Sequence, residues 1–375
     1  MESRIMRFYQ GTTKYYCGID LHSRNMYVCI IDREGKILLH RSFKAQADQL
    51  LRAIKPYRED VTVAVECTYP WYWVADLCRE HKIPFALGHA LYMKAIHGAK
   101  VKNDRIDSQK IAKLTASGLL PMAYDYPQEH RATRDLLRRR LRFVRQRADL
   151  YTHIHHLATQ AQVAPIGNDA KSKTRRAKLP ERFTDPEVRL NVEANLATID
   201  HLDQLIARLE KHILQKARHE KRKELTILQS IPGVGLIIAL TILYEIDRLD
   251  RFDTRQQFAS YARLVKCSHD SDGKKYGFGG AKMGNPYLKW AFSEAAVFVT
   301  EWCAEVALHH NKLVRKYGKG KARSLLAHKL GRAVYYMLQR GQVFDPARFL
   351  NQPSQPKPQP APRRKRAASK DKVNR

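Results

Sequence analysis

Short apolar runs of β type open the chain. Tyr15–Asp20 is one, ending on an acid, and Asn25–Ile31 and Lys36–Phe43 follow closely. The connections Ser23-Arg24 and Arg33-Glu-Gly35 predict an antiparallel meander. Val61–Val65 predicts a fourth strand, reached through a helix around Asp48–Ile54, and Pro84–Leu87 a fifth, after a helix starting near Pro70. From residue 130 to 163 the period changes. Leu137, Leu141, Val144, Ala148, Tyr151, His155 and Ala158 step by four and three, a heptad seam. A second seam runs through Val192, Ile199, Leu202, Ile206, Leu209 and Ile213, with Asn195 at one interior position. Between the seams, Gly167–Pro186 is polar, basic and bounded by proline, and reads as a linker or mobile loop.

This pattern divides the chain into an extension (1–14), an α/β unit (15–124), two heptad helices (125–222) around a loop at 166–186, a mostly helical unit (223–348) and a tail (349–375). The α/β unit resembles the ribonuclease H fold more than a Rossmann sheet. No Gly-x-Gly-x-x-Gly follows the first strand, which argues against a dinucleotide site. The heptad helices suit an antiparallel coiled-coil arm or halves of an intermolecular bundle, and both seams could equally pack on the α/β unit.

Charge then narrows the function. Among 375 residues, 68 Lys and Arg face 37 Asp and Glu, a formal net charge of +31. Such an excess favours nucleic acid as partner over a membrane surface, for which no basic amphipathic helix with a lipid-facing stripe stands out. The tail adds eight basic residues against one acid and five prolines from Asn351 on, so it is expected to be disordered and to touch phosphate non-specifically. Six cysteines show no Cys-x-x-Cys pair and no zinc spacing, and read as small buried hydrophobes in a reducing compartment. The N-terminus lacks a signal-peptide stretch, and the longest apolar run, Ile231–Ile246, is too interrupted to span a bilayer. A cytoplasmic, nucleoid-associated protein is expected.

Against this basic background four acids stand out. Asp104 and Asp107 are three apart, on one face of a helix. Asp20 ends the first strand and Glu66 the fourth, where acids can converge beside the centre of a sheet. Four carboxylates gathered in a partly buried site require cations, and Mg²⁺ binds them while keeping positions for water and phosphate oxygen. Separately, Asp104 and Asp107 could favour a helix N-terminus, Asp20 could cap a turn, and Glu66 could be an ordinary surface acid.

Two further motifs lie downstream. Ser230-Ile-Pro-Gly-Val-Gly235 resembles the turn of a helix-hairpin-helix, in which Gly233 and Gly235 let the backbone turn tightly and approach a phosphate; a tight helical corner with no ligand is the alternative. Residues 261–289 read as an exposed, glycine-rich basic loop. There Ser271 stands beside Gly273, Lys274 and Lys275, with Lys282-Met-Gly284-Asn285 following. By composition alone Ser271 has little advantage over Ser268.

Together these residues resemble the DEDD transposases of bacterial insertion sequences related to the Piv invertase, bridge-RNA-guided DNA recombinases. The resemblance runs from Gly18-Ile-Asp20 through Val65-Glu66, Asn103-Asp104-x-x-Asp107, Ile231-Pro-Gly-Val-Gly235 and Lys282-x-Gly284-Asn285 to about Leu338. It implies a RuvC-like domain in which Asp20, Glu66, Asp104 and Asp107 hold Mg²⁺, a coiled-coil arm, and a mostly α C-terminal transposase domain with a helix-hairpin-helix. In that family a serine, matched here by Ser271, attacks DNA and forms a phosphoserine link. The resemblance further implies donor and target DNA, a structured guide RNA, and a homodimer or homotetramer in which one protomer's acids meet another's serine. Arg138, Arg139 and Arg142 would then belong to an RNA-backbone track on the arm, with Lys274, Lys275 and Lys282 as further nucleic-acid contacts. The chain departs from the family at Arg263 and Lys266, where Gly and Pro are common, and at Asp272, where Gly is common. Alignment on Lys282-x-Gly-Asn favours Ser271, with Ser268 second. The other functional readings are a RuvC-like nuclease acting through metal-activated water, and a non-enzymatic nucleic-acid-binding protein.

Overall fold

The computed structural model describes residues 7–96, 103–265, 267–271, 274–279 and 283–351, with the backbone alone at 94–96 and in the two segments 267–271 and 274–279. The tail beyond Asn351 and Lys282 lie outside the described residues.

The first unit is a five-stranded sheet. Strands β1 (Tyr15–Leu21), β2 (Asn25–Asp32) and β3 (Ile37–Lys44) form the antiparallel meander. Helix α1 (Ala47–Ile54) then leads into β4 (Val61–Glu66), and α2 (Tyr72–Glu80) into β5 (Phe85–Gly88). Each returns parallel to its neighbour, giving the order β3-β2-β1-β4-β5. Helices α3 (Ala90–Ile96) and α4 (Asp104–Ala116) follow.

Strand alternation sorts the two faces. Cys17, Ile19, Leu21, Val61, Val63 and Val65 pack with Leu50, Ile54, Trp71 and Val74 of the α1 and α2 side. On the other face Ala64 and Ala86 pack with Ile111 and Leu114 of α4, and Tyr16, Cys29 and Ile31 with Ala112. Both faces being covered explains why β1, β2, β4 and β5 read as nearly continuous apolar runs, while β3 at the edge is largely open. Gly18 sets the approach of α4. A Cβ there would come within 2.3 Å of both Ser108 O and Ala112 N, so only glycine lets the helix lie directly on β1.

The long helices α5 (Gln128–Gln160) and α7 (Pro186–Glu220) run side by side. The second seam is buried nearly as expected, at Val192, Asn195, Leu196, Ile199, Leu202, Ile206 and Ile213. The first departs from expectation: Leu137 and Leu141 are buried near one end and Ile154, Leu157 and Ala158 near the other, while Ala148 is exposed. Ion pairs tie the middle, Arg140 Nη2 to Glu210 at 2.7 Å and Arg147 to Asp203.

Segment 166–186 is also not the polar linker that its composition suggests. It folds into short turns and α6 (Lys173–Arg176), and lays Ile166, Ala170, Leu179 and Phe183 against Ile154, Leu157, Val192 and Ile199. Arg176 is buried there because Asp200 and Asp203 neutralise it. The pair of helices thus ends in its own small core.

The C-terminal unit gathers α8 (Arg222–Gln229), α9 (Leu236–Ile246), α10 (Arg255–Tyr261), a hairpin of β6 (Cys267–Ser271) and β7 (Lys274–Gly279), and α11 (Pro286–Trp302), α12 (Ala304–Tyr317), α13 (Lys319–Arg340) and α14 (Pro346–Leu350). Helix α9 is apolar nearly all round because α5, α7, α8 and α11 all pack on it. No helix among the described residues is long and apolar enough to cross a membrane.

Candidate metal centre

Asp20 lies near the end of β1, and its carboxylate is mostly covered. In the parallel register Ile19 faces Val65, so one step further sets Asp20 beside Glu66 at the end of β4. Both belong to the set of alternate positions that includes Gly18 and Ala64, the face on which α4 lies. Asn103 caps α4 by accepting a hydrogen bond from Arg105 N at 3.0 Å. Asp104 is therefore the first helical residue, set over the end of β1 by the contact that Gly18 permits.

The structure gathers three donors here: Asp20, His22 and Asp104 each offer a ligand atom, all within 4.8 Å of one another. His22 Nε2 stands 3.5 Å from Asp20 Oδ2 and 3.5 Å from Asp104 Oδ1. Glu66 and Asp107 lie outside that group; Asp107 sits one helical turn from Asp104, with its Oδ1 3.2 Å from Lys110 Nζ. Two carboxylates and an imidazole form a donor set that fits a divalent cation, and more than half of the Asp104 and His22 side-chain surfaces remains open to solvent. His22 escapes a sequence reading because it occupies a turn. The signal was its place two residues after Asp20, on the same side of the strand.

Arginines of α5 act on Cys67, the residue after Glu66. Burial raises the Cys67 thiol, next to Glu66, and the charges of Arg134 and Arg138 oppose that rise. The arginine row is not uniform. Arg131 is buried over the rings of Trp71 and Tyr72 and bonded to Asp76, and Arg134 lies 3.7 Å from the Tyr126 ring centre and donates to Tyr72 Oη at 2.9 Å. These two hold the α/β unit to α5. Arg138 is committed to Glu245. Arg139 and Arg142 are exposed, and with Arg138, Arg145, Asp135, Leu141 and Tyr287 they line a cleft of about 480 Å³.

Tyr287 of that cleft stands two residues after Asn285, at the root of the serine segment. Asn285 caps α11 through its Oδ1, donates Nδ2 to Glu245 Oε2 at 2.7 Å, and donates its backbone N–H to Tyr261 O at 2.6 Å. Gly284, at φ +84°, has room for no Cβ, which would meet Tyr261 O at 2.6 Å. Gly284-Asn285 is thus fixed by packing and capping. Arg263, in the position where glycine is common in the resembled family, takes a left-handed φ of +55° and donates Nε to Gly284 O at 2.9 Å. Residues 267–271 and 274–279 pair as antiparallel strands instead of forming an irregular loop, with Ser271 opposite Lys274. Ser268 pairs with Phe278, and Lys275 with Asp270.

In the corner between α8 and α9 the two glycines differ. Gly233 has φ +78° and packs so closely on α11 that a Cβ would lie 2.7 Å from Phe298 O. Gly235 precedes α9 with open space around its Cα.

Two family models match separate stretches of the chain. Residues 17–162 match a DEDD transposase model, and residues 225–326 match that of the transposase IS116/IS110/IS902 family. The chain carries transposase domains of the IS110/IS116/IS902 family. A Pseudomonas aeruginosa protein named "Probable family 20 transposase" is 26% identical over 347 residues, covering 88% of this chain and 98% of the relative. The transposase for insertion sequence element IS1111A of Coxiella burnetii is 23% identical over 337 residues, covering 87% of this chain and 90% of its own. DEDD family membership points to a divalent metal at the acids.

Proposed function

We propose that this transposase is an RNA-guided DNA recombinase that cuts and exchanges strands through a serine–DNA link. The observation that carries the reading is the convergence of Asp20 and Asp104, from a strand and a helix distant in sequence, in a chain that matches two transposase models at residues 17–162 and 225–326. The sheet order, with two parallel returns beside an antiparallel meander, supports a ribonuclease H-like catalytic domain. Asp20, Glu66, Asp104 and Asp107 would hold Mg²⁺, which supplies charge stabilisation to the phosphoryl oxygens when bound.

Ser271 is the proposed nucleophile. Its Oγ forms a bond to phosphorus as the bond to the 3′ oxygen breaks, and the leaving oxygen takes up a proton to become a 3′-hydroxyl. Lys274, Lys275 and Lys282 would oppose the charge that develops on the phosphate. Gly235 leaves the first turn of α9 open to a backbone phosphate in the manner of a helix-hairpin-helix, while the packing of Gly233 sets the angle of that corner. The helical pair α5–α7, with its own terminal core, fits a coiled-coil arm that carries a structured guide RNA and joins protomers into a dimer or tetramer. The net charge of +31 supports both polyanionic partners.

The test is trapping on a nicked DNA substrate. A covalent adduct that is lost in Ser271→Ala and kept in Ser268→Ala is expected, and recombination by Ser271→Ala would overturn the role of Ser271. Cleavage without any adduct would favour hydrolysis by water. Sequencing the RNA that copurifies with the protein tests guidance: absence of a recurrent structured species would overturn it.

A further inference from the structure

His22 closes the β1–β2 turn, its backbone N–H donating to Asn25 O at 2.9 Å. Being two residues after Asp20, it rises on the same side of the sheet. Its two contacts, each 3.5 Å, are longer than ordinary N–H···O hydrogen bonds. Donors that each lie about 2.1 Å from one shared ion stand roughly 3.0–3.5 Å from each other. The separations of Nε2 from the two carboxylates therefore match the edges of a ligand shell.

Charge points the same way. A neutral imidazole adds a donor without adding a negative charge to a centre already crowded with carboxylates. Asp107 pairs with a cation of its own helix, Lys110. We propose that His22 Nε2 is a nitrogen ligand of the metal centre, forming with Asp20 and Asp104 a mixed site that takes Mn²⁺ more tightly than Mg²⁺. The proposal rests on the metal-centre reading above. Mg²⁺ is a hard ion that prefers oxygen and gives up water reluctantly, whereas a first-row transition ion accepts imidazole. Mg²⁺ can still fill the site when it is the more abundant ion.

Calorimetric titration of the full chain with MnCl₂ and with MgCl₂, together with pulsed EPR of the Mn²⁺ complex, tests this without any DNA substrate. The expected results are a ¹⁴N modulation in the native protein that disappears in His22→Ala, and a Mn²⁺ affinity that falls at least about tenfold in that variant while Mg²⁺ affinity changes far less. His22 is exposed at a turn, so the variant should keep its melting temperature, which circular dichroism verifies. Mn²⁺ bound without nitrogen coupling, or with unchanged affinity in His22→Ala, overturns the ligand role. Asp20→Asn separates the two levels. If it binds both ions as the native chain does, the metal centre itself is misplaced; if it loses them while His22→Ala does not, only the role of His22 falls.

Discussion

Arg138 in α5 and Glu245 in α9 form a two-pronged pair, Nε to Oε1 at 2.7 Å and Nη2 to Oε2 at 2.8 Å. The Glu245 side chain is almost wholly buried, and Arg138 also lies over the Tyr287 ring. Since Asn285 Nδ2 uses the same carboxylate, Glu245 joins α5 to the residue that caps α11 and roots the serine hairpin. Removing Glu245 would strand a guanidinium and an amide together.

Glu245→Ala should therefore destabilise the protein by about 2–4 kcal/mol, the lower end reflecting the partial exposure of Arg138. Replacing both partners, Arg138→Met with Glu245→Met, should recover the part of the loss that comes from the stranded charge, while the Asn285 amide stays without its acceptor. Urea denaturation midpoints of the two single variants and the double variant check this. A double variant no more stable than the worse single one would show that the pair does not act as a unit.

Gly18 yields a sharper contrast. A methyl group there meets backbone atoms of α4 at 2.3 Å, and backbone cannot rotate aside as a side chain can. Gly18→Ala should displace α4, cost about 3 kcal/mol, and weaken divalent-ion binding because Asp104 moves with the helix. Gly35→Ala is the control. Its φ of +82° is strained for alanine but nothing lies within 4 Å, so a loss of about 1 kcal/mol with normal ion binding is expected. Thermal melts and calorimetric titration of both variants decide the matter.

Asp247 sets an acid limit. Its carboxylate is fully buried and accepts from Tyr124 Oη at 2.5 Å and His130 Nδ1 at 2.5 Å, with Lys221 Nζ at 3.5 Å. Burial pushes its pKa up, but the Tyr124 hydrogen bond and the charges of Lys221 and His130 outweigh burial and hold it below the usual carboxylate range. A depressed folded pKa gives stability that is present above the unfolded value, about 3.9, and lost as pH falls through the folded one. Melting temperature should thus drop steeply below about pH 4. Asp247→Asn should be less stable at neutral pH yet show a shallower acid slope, with Asp203 and other depressed carboxylates supplying the remainder. An unchanged slope would remove Asp247 from the account.

How far such features could be read from sequence depends on their period. The five strands and the helices leading into β4 and β5 were legible because apolar runs, turn residues and intervening helices follow regular spacings, whereas the parallel pairing of β4 and β5 came only with the structure. The acids Asp20 and Asp104 were legible as charges at element ends. Ile166, Ala170, Leu179 and Phe183 were not, since they belong to short turns with no helical or strand repeat, and the polar residues between them masked a core. Glu245 was visible as an acid in an apolar helix, but its partner lies more than a hundred residues away. The arginines of α5 looked equivalent because charge is a property of the side chain, while burial is a property of what packs on it.

That last distinction leads to a test of the nucleic-acid face. Arg139 and Arg142 point into the cleft beside Tyr287, whereas Arg131 is sealed against Trp71, Tyr72 and Asp76. Each phosphate neutralised on duplex DNA contributes about −0.9 to the slope of log K against log salt. Arg139→Gln with Arg142→Gln should reduce the magnitude of that slope by roughly 2 for a short duplex, and weaken binding uniformly across sequences. Arg131→Gln should leave the slope unchanged and lower the melting temperature, because its charge serves the join between α2 and α5. Fluorescence anisotropy at several salt concentrations separates the two. If the cleft variant keeps the native slope, the phosphates run elsewhere on the protein, and the exposed arginines of α5 serve only its solubility.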